Sequence, residues 1–166
     1  MAVADVIHQD TIPVTNPVTG EVIGAIPRTP TYKVRETVAR ARAAQTAWAS
    51  RDIKARIKDL QRWSDLIWEH QEEIIALIRK ETGKTHLTAF VEPFGTDNTV
   101  HYYAKNAPKL LRPQTRRSFL PFIHKARVHY KPHGVVGIIS PWNFPLAIFT
   151  GQVAADVGDL LQGFGQ

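Results

Sequence analysis

Hydrophobic and polar positions along the chain change period several times, and each change predicts an element. From Thr11 to Arg28 β-branched residues alternate around Asn16-Pro17-Val18-Thr19-Gly20, the punctuation of a β-hairpin. From Thr31 to Ser50, Val34, Val38, Ala41, Gln45 and Trp48 recur at helical spacing behind Pro30, which predicts a helix with one apolar face. A second stripe follows Asp52, with Ile53, Ile57, Leu60, Ser64 and Ile67 in line and Trp63 and Trp68 widening it. A third runs from His70 to Thr82 through Ile74, Ile75, Leu77 and Ile78 and stops at Gly83, the residue type that most readily closes a helix in the left-handed conformation. The second and third stripes are close enough to form one bent rod.

From Lys84 to Leu111 the pattern is again helical, but Pro93 and Gly95 predict a break, with a later helix through Val100, Tyr103 and Ala107. After Arg112-Pro113 the period falls to two, over Ser118–Ile123 and Lys125–Tyr130, a second hairpin whose first strand Pro121 confines to an edge or a bulge. Gly134 to Ser140 is continuously apolar, as suits a strand buried on both faces of a parallel sheet. Pro141-Trp142-Asn143-Phe144-Pro145 then forms a stiff turn, and a helix is expected from about Leu146. Strand, rigid loop and helix together read as the first unit of a nucleotide-binding α/β sheet, whose ligands lie at the carboxyl end of the strand. Internal repeats and low-complexity segments are absent from the sequence.

Composition narrows the chemistry. The 166 residues are 43% hydrophobic and 22% charged, a globular balance, and contain no cysteine, which removes disulfides, zinc–thiolate sites and a thiolate nucleophile. No apolar run approaches the ~20 residues of a membrane span, and Met1 to Asp10 lack a basic segment followed by an apolar one, so the expectation is a cytoplasmic chain without a membrane partner. The net charge of +6 invites an anionic partner. Most basic residues, however, alternate with acids along helices, and the denser group of Arg112, Arg116, Arg117, Lys125, Arg127 and Lys131 has no interleaved stacking aromatics. A basic nucleic-acid-binding helical module is therefore weighed and set aside, and no nucleic-acid partner is expected. The seven histidines, at 8, 70, 86, 101, 124, 129 and 133, show no metal-ligand spacing, so no metal site is expected either. Trp48, Trp63 and Trp68 read as core, and Glu81 and Glu92 as solvated or salt-bridged helix residues.

The most informative piece is Ser140 to Pro145. Two prolines and two aromatics around one asparagine can fix an amide N–H₂ so that it stabilises a developing oxyanion. They can equally make a turn in which Asn143 bonds neighbouring backbone. On local pattern both readings stand.

Gly134-Val-Val-Gly-Ile-Ile-Ser-Pro-Trp-Asn-Phe-Pro145 resembles the signature strand and loop of the aldehyde dehydrogenase superfamily. Asn16-Pro17-Val18-Thr19-Gly20-Glu21 resembles the first hairpin turn of those enzymes, and Glu81-Thr82-Gly83-Lys84 the end of their early helices, so the likeness extends from about residue 11 to Ala155. It implies an α/β fold comprising the amino-terminal hairpin and helices, an oligomerisation hairpin and the first strand-loop-helix of a Rossmann-like cofactor domain. In residue terms these are 1–113, 114–133 and 134–155, with a tail over 156–166 that departs from the family. The resemblance assigns Asn143 to the oxyanion hole, Ile139, Ser140, Pro141, Trp142 and Asn143 to the groove of an NAD or NADP cofactor, and the hairpin to a homo-oligomer contact. It implies oxidation of a small aldehyde to a carboxylate through a cysteine thiohemiacetal, with the sequence nearest the succinate-semialdehyde type. The family's cofactor lysine, glycine-rich turn, general-base glutamate and cysteine nucleophile have no counterpart here, so the chain alone is expected to be inactive. A chain of another class, a non-catalytic oligomerising remnant, is the alternative. An unfinished sheet and open strand edges would leave the carboxyl-terminal third prone to association.

Overall fold

Asn16 sets the first hairpin. Its side-chain Oδ1 accepts from the amides of Val18 (2.8 Å) and Thr19 (3.3 Å), and Gly20, at φ 73°, reverses the chain so that the Asn16 amide donates to the Glu21 carbonyl. Strands β1 (Thr11–Thr15) and β2 (Val22–Pro27) pair antiparallel across this turn, with a register shift between Val14 and Thr15. The computed structural model describes residues 11–120 and 122–157. Residues 1–10, Pro121 and most of the tail departing from the family, 158–166, lie outside the described residues.

Four helices follow: α1 (Thr31–Ala49), α2 (Ile53–Glu69), α3 (Gln71–Thr82) and α4 (His86–Leu110). The boundary between α2 and α3 is His70 alone (φ −99°, ψ 17°). Its amide donates to Leu66 and its carbonyl accepts from Ile74, so the two helices meet at a bend. Acidic Glu72 and Glu73 open α3 and basic Arg79 and Lys80 close it, each opposing the nearer end of the helix dipole. Gly83 then ends it at φ 73° with its amide bonded to the Arg79 carbonyl. The Thr85 side chain accepts from the Thr88 amide and starts α4.

The core lies where α2, α3 and the last helix, α5 (Ala147–Val157), pack around α4. One cluster joins Leu60, Val100 and Ala154 with Trp63 and Tyr103 against them; the other joins Ile75, Ile78 and Ala89 with Ile74, Phe90 and Leu146. The predicted stripes through Leu60, Ser64 and Ile67, through Ile75 and Ile78, and through Val100 and Ala107 are the buried ones.

Four expectations change. Helix α4 does not break at Pro93 and Gly95 but runs through both, and through Pro108. Proline inside a helix costs about 3 kcal/mol, and packing overrides that preference: Ala89, Glu92, Pro93, Thr96 and Val100 are all buried. The second hairpin forms, yet its first strand is β3 at Gln114–Arg116, paired with β4 at Ala126–Val128, and Ser118–Ile123 belongs to the connection. That connection is closed by the Ser118 hydroxyl donating to the His124 carbonyl (2.7 Å) and by the Ile123 and His124 amides turning back to Leu120. Helix α1 has its apolar stripe but buries none of it, because no described helix covers that side. Finally, Gly134–Ser140 is not a paired, doubly buried strand. Only β1–β2 and β3–β4 are hydrogen-bonded among the described residues, and without neighbouring strands Ile139 stays 94% exposed.

Candidate functional site

Glu92 organises the end of the chain that carries the candidate chemistry. It lies one position before Pro93 on α4 and its side chain is completely buried, where an isolated carboxylate would be strongly disfavoured. Three donors satisfy it. Lys84 Nζ lies 2.6 Å from one oxygen; the amides of Leu146 and Ala147 donate to the other at 2.8 and 3.2 Å. These amides open α5, so the carboxylate is the cap of that helix, delivered from 54 residues away. Lys84, itself mostly buried, also stands over the Phe144 ring at 3.9 Å from its centre.

Behind this network α4 and α5 approach closely. The Thr96 and Thr150 hydroxyls are 2.7 Å apart and buried, and a Cβ on Gly95 or Gly151 would touch Ala147 or Thr99 at 4.0 or 3.8 Å. Pro145 and the Leu146 side chain, the latter in the Ile75 cluster, complete the anchorage. The loop is thus held from its carboxyl side.

The residues predicted for the site lie in sequence order along the opposite, open side. Ile139 and Trp142 are 94% and 83% exposed, Pro141 and Asn143 are exposed, and Ser140 is half-buried with its hydroxyl oxygen buried and lacking a hydrogen-bond partner among the described residues. The Asn143 amide makes no hydrogen bond with a described residue. Consecutive in sequence and mostly exposed, these residues present a ledge. Glu92 was legible only as a salt-bridged helix residue; its partner, Lys84, lies on another turn, in the Gly83–Thr85 connection, and nothing in the sequence marked its burial. Glu81 is half-buried.

One consequence concerns anions. An open helix N-terminus after a strand and loop suits a phosphate, but here two of the first amides of α5 already serve Glu92. The Leu146 and Ala147 amides are therefore not open to a phosphate in this arrangement.

A family model described as "Aldehyde dehydrogenase family" matches residues 6–157. The chain belongs to the aldehyde dehydrogenase family. A protein of Mycobacterium ulcerans (strain Agy99) named as an NADP(+) succinate-semialdehyde dehydrogenase is 36% identical over 147 residues, which make up 89% of this chain and 28% of that protein. Among solved structures, an NADP-dependent glyceraldehyde-3-phosphate dehydrogenase from Bacillus halodurans C-125, complexed with NADP, superposes with a TM-score of 0.82 at 28% identity, over 91% of this chain and 32% of that one. An NAD-dependent benzaldehyde dehydrogenase from Corynebacterium glutamicum gives 0.80 at 30% identity, over 90% and 33%. The architecture is thus the α/β fold of the amino-terminal region of these oxidoreductases, and the chain spans about a third or less of the length of the relatives it matches. Among the described residues no helix is long and apolar enough to cross a membrane, and no group of three or more His, Cys, Asp or Glu could hold a metal ion.

Proposed function

We propose that this chain is the amino-terminal part of an NAD(P)-dependent aldehyde dehydrogenase acting on a small aldehyde of the succinate-semialdehyde type, in which Asn143 is an oxyanion donor. The observation that carries this is the Asn143 amide itself, exposed and without a hydrogen-bond partner among the described residues, on a loop anchored from behind. When a thiolate adds to an aldehyde carbon, the carbonyl oxygen takes up negative charge, and a pre-placed N–H lowers the barrier without reorganising. The thiolate is not among these 166 residues, so the chain alone supplies a donor and a binding ledge and is expected to be inactive.

The same ledge fits a nicotinamide dinucleotide, which supplies a hydride acceptor when bound. Exposed Ile139 and Trp142 offer apolar area to it. A second reading, a non-catalytic oligomerising remnant, is favoured by one feature: Phe119 and Phe122 stand fully out from the β3–β4 connection. In both readings this hairpin, within 114–133, joins copies of the chain.

The test is a fusion of residues 1–157 to the carboxyl-terminal remainder of the Mycobacterium ulcerans relative, assayed for NADP reduction with succinate semialdehyde. Turnover in the fusion that falls by ~10²-fold or more in Asn143→Ala, with an unchanged melting temperature, is the expected result. Equal turnover in the two would leave Asn143 a turn residue, and a folded but inactive parent fusion would favour the remnant.

A further inference from the structure

We infer that Lys84 and Glu92 form a positioning pair for Asn143, acting through Phe144 and the first turn of α5; this rests on the oxyanion reading proposed above. Asn143 has no side-chain hydrogen bond to the described protein, so its place is set by its backbone. On its amino-terminal side Ile139 to Trp142 are largely exposed and belong to no strand pair among the described residues. The fixed points lie on the other side. The next residue, Phe144, carries the Lys84 ammonium on its ring face at 3.9 Å; after Pro145, the amides of Leu146 and Ala147 are bonded to Glu92. The 2.6 Å contact between Lys84 and Glu92 joins the two points into one device.

The chemistry of the pair suits this task. A neutral side chain could fill the same space, and a buried ion pair is often no more stable than an apolar replacement. What the pair adds is direction: a carboxylate that accepts two backbone amides fixes where α5 begins, and a cation over a ring fixes how Phe144 is turned. Both act within four residues of the donor. Since Lys84 follows the Gly83 cap of α3 directly, the position of the loop is referred to the rigid junction of α3 and α4.

The pair is tested in the full 166-residue chain by nuclear magnetic resonance, reading the order of the Asn143 side-chain amide and the hydrogen exchange of the Leu146 and Ala147 amides against those of Ile75 and Val100. Removing one charge alone strands the other, so the deciding variant is the double Lys84→Met/Glu92→Leu, which leaves no unpaired buried ion. The expected outcome is a folded chain in which Leu146 and Ala147 exchange at least about ten-fold faster relative to Ile75 and Val100 and the Asn143 amide loses order. Lys84→Arg, which keeps a cation for both Phe144 and Glu92, is expected to retain the native signals. A folded double variant with unchanged Asn143 order and unchanged exchange overturns the inference, as does a loss of order in Lys84→Arg equal to that in the double variant. Normal turnover of the Asn143→Ala fusion would sink the oxyanion reading alone, because the order of the loop is read here without catalysis.

Discussion

Gly83 joins two separate demands at one residue. Its φ of 73° is a left-handed conformation, and a Cβ there would come within 2.8 Å of Val18 Cγ2, on the turn of the first hairpin. The same glycine that closes α3 therefore seats the β1–β2 turn and precedes Lys84. Gly83→Ala would force strained backbone against a neighbouring side chain, for which the expected loss is about 1–2 kcal/mol from the conformation alone, measured by urea denaturation. A stability equal to that of the parent would mean that both the turn and the helix end relax freely. Gly83 was legible in the sequence as a helix terminator, since the stripe through Ile74 and Ile78 stops there. The contact with Val18 was not, because the two residues lie 65 positions apart and no local pattern records which turn will be laid over which cap. Glu92 carries the same lesson: its residue type announces a charge, while its burial depends on three donors from two distant segments.

Elements differ in how much of their predicted face is used. In α2 the stripe through Leu60, Ser64 and Ile67 is covered by α4, and the Ser64 hydroxyl donates to Asp97 at 2.9 Å. In α1 the equivalent stripe is open: Val34 and Val38 are exposed, and only Gln45 and Trp48 are half-buried, the latter beneath the Arg51 guanidinium at 4.7 Å. A helix whose stability comes from intrinsic preference without tertiary cover is marginal in water. Backbone amides in the middle of α1 are thus expected to exchange orders of magnitude faster than those of α3 and α4, and comparable protection in all three would show that α1 is covered in solution. Periodicity reveals which side of a helix is apolar but not whether a partner arrives. The converse failure is α4, where prolines argue for an interruption and packing against α2, α3 and α5 carries the helix through. The displaced β3 has a similar origin. Alternation favoured Ser118–Ile123, yet the Ser118 hydroxyl and the Leu120 carbonyl close a turn there and push the pairing back to Gln114.

At the scale of the whole molecule, apolar surface remains on the β3–β4 connection and around the loop at residues 139–142. Phe119, Phe122, Ile123, Ile139 and Trp142 are each three-quarters exposed or more. A purified chain is expected to associate in a concentration-dependent manner by sedimentation, and Phe119→Ser/Phe122→Ser to weaken that association; a clean monomer at high concentration would contradict it. The stretch from Gly134 to Pro145 was recognisable because its loop has a distinctive composition. Its pairing was not, since a strand is defined by neighbours and β1–β2 and β3–β4 offer none to it among the described residues. The cap on α5 also has a history written into it. The Ala147 amide follows Glu92 by 55 residues, so at ~5–20 residues per second a ribosome needs roughly 3–11 s between them. During that interval α3 and α4 can form and Lys84 can already face Glu92, while the carboxylate still has water where two amides will later sit. The last helix of the bundle thus meets a carboxylate and an ammonium that were translated well before it.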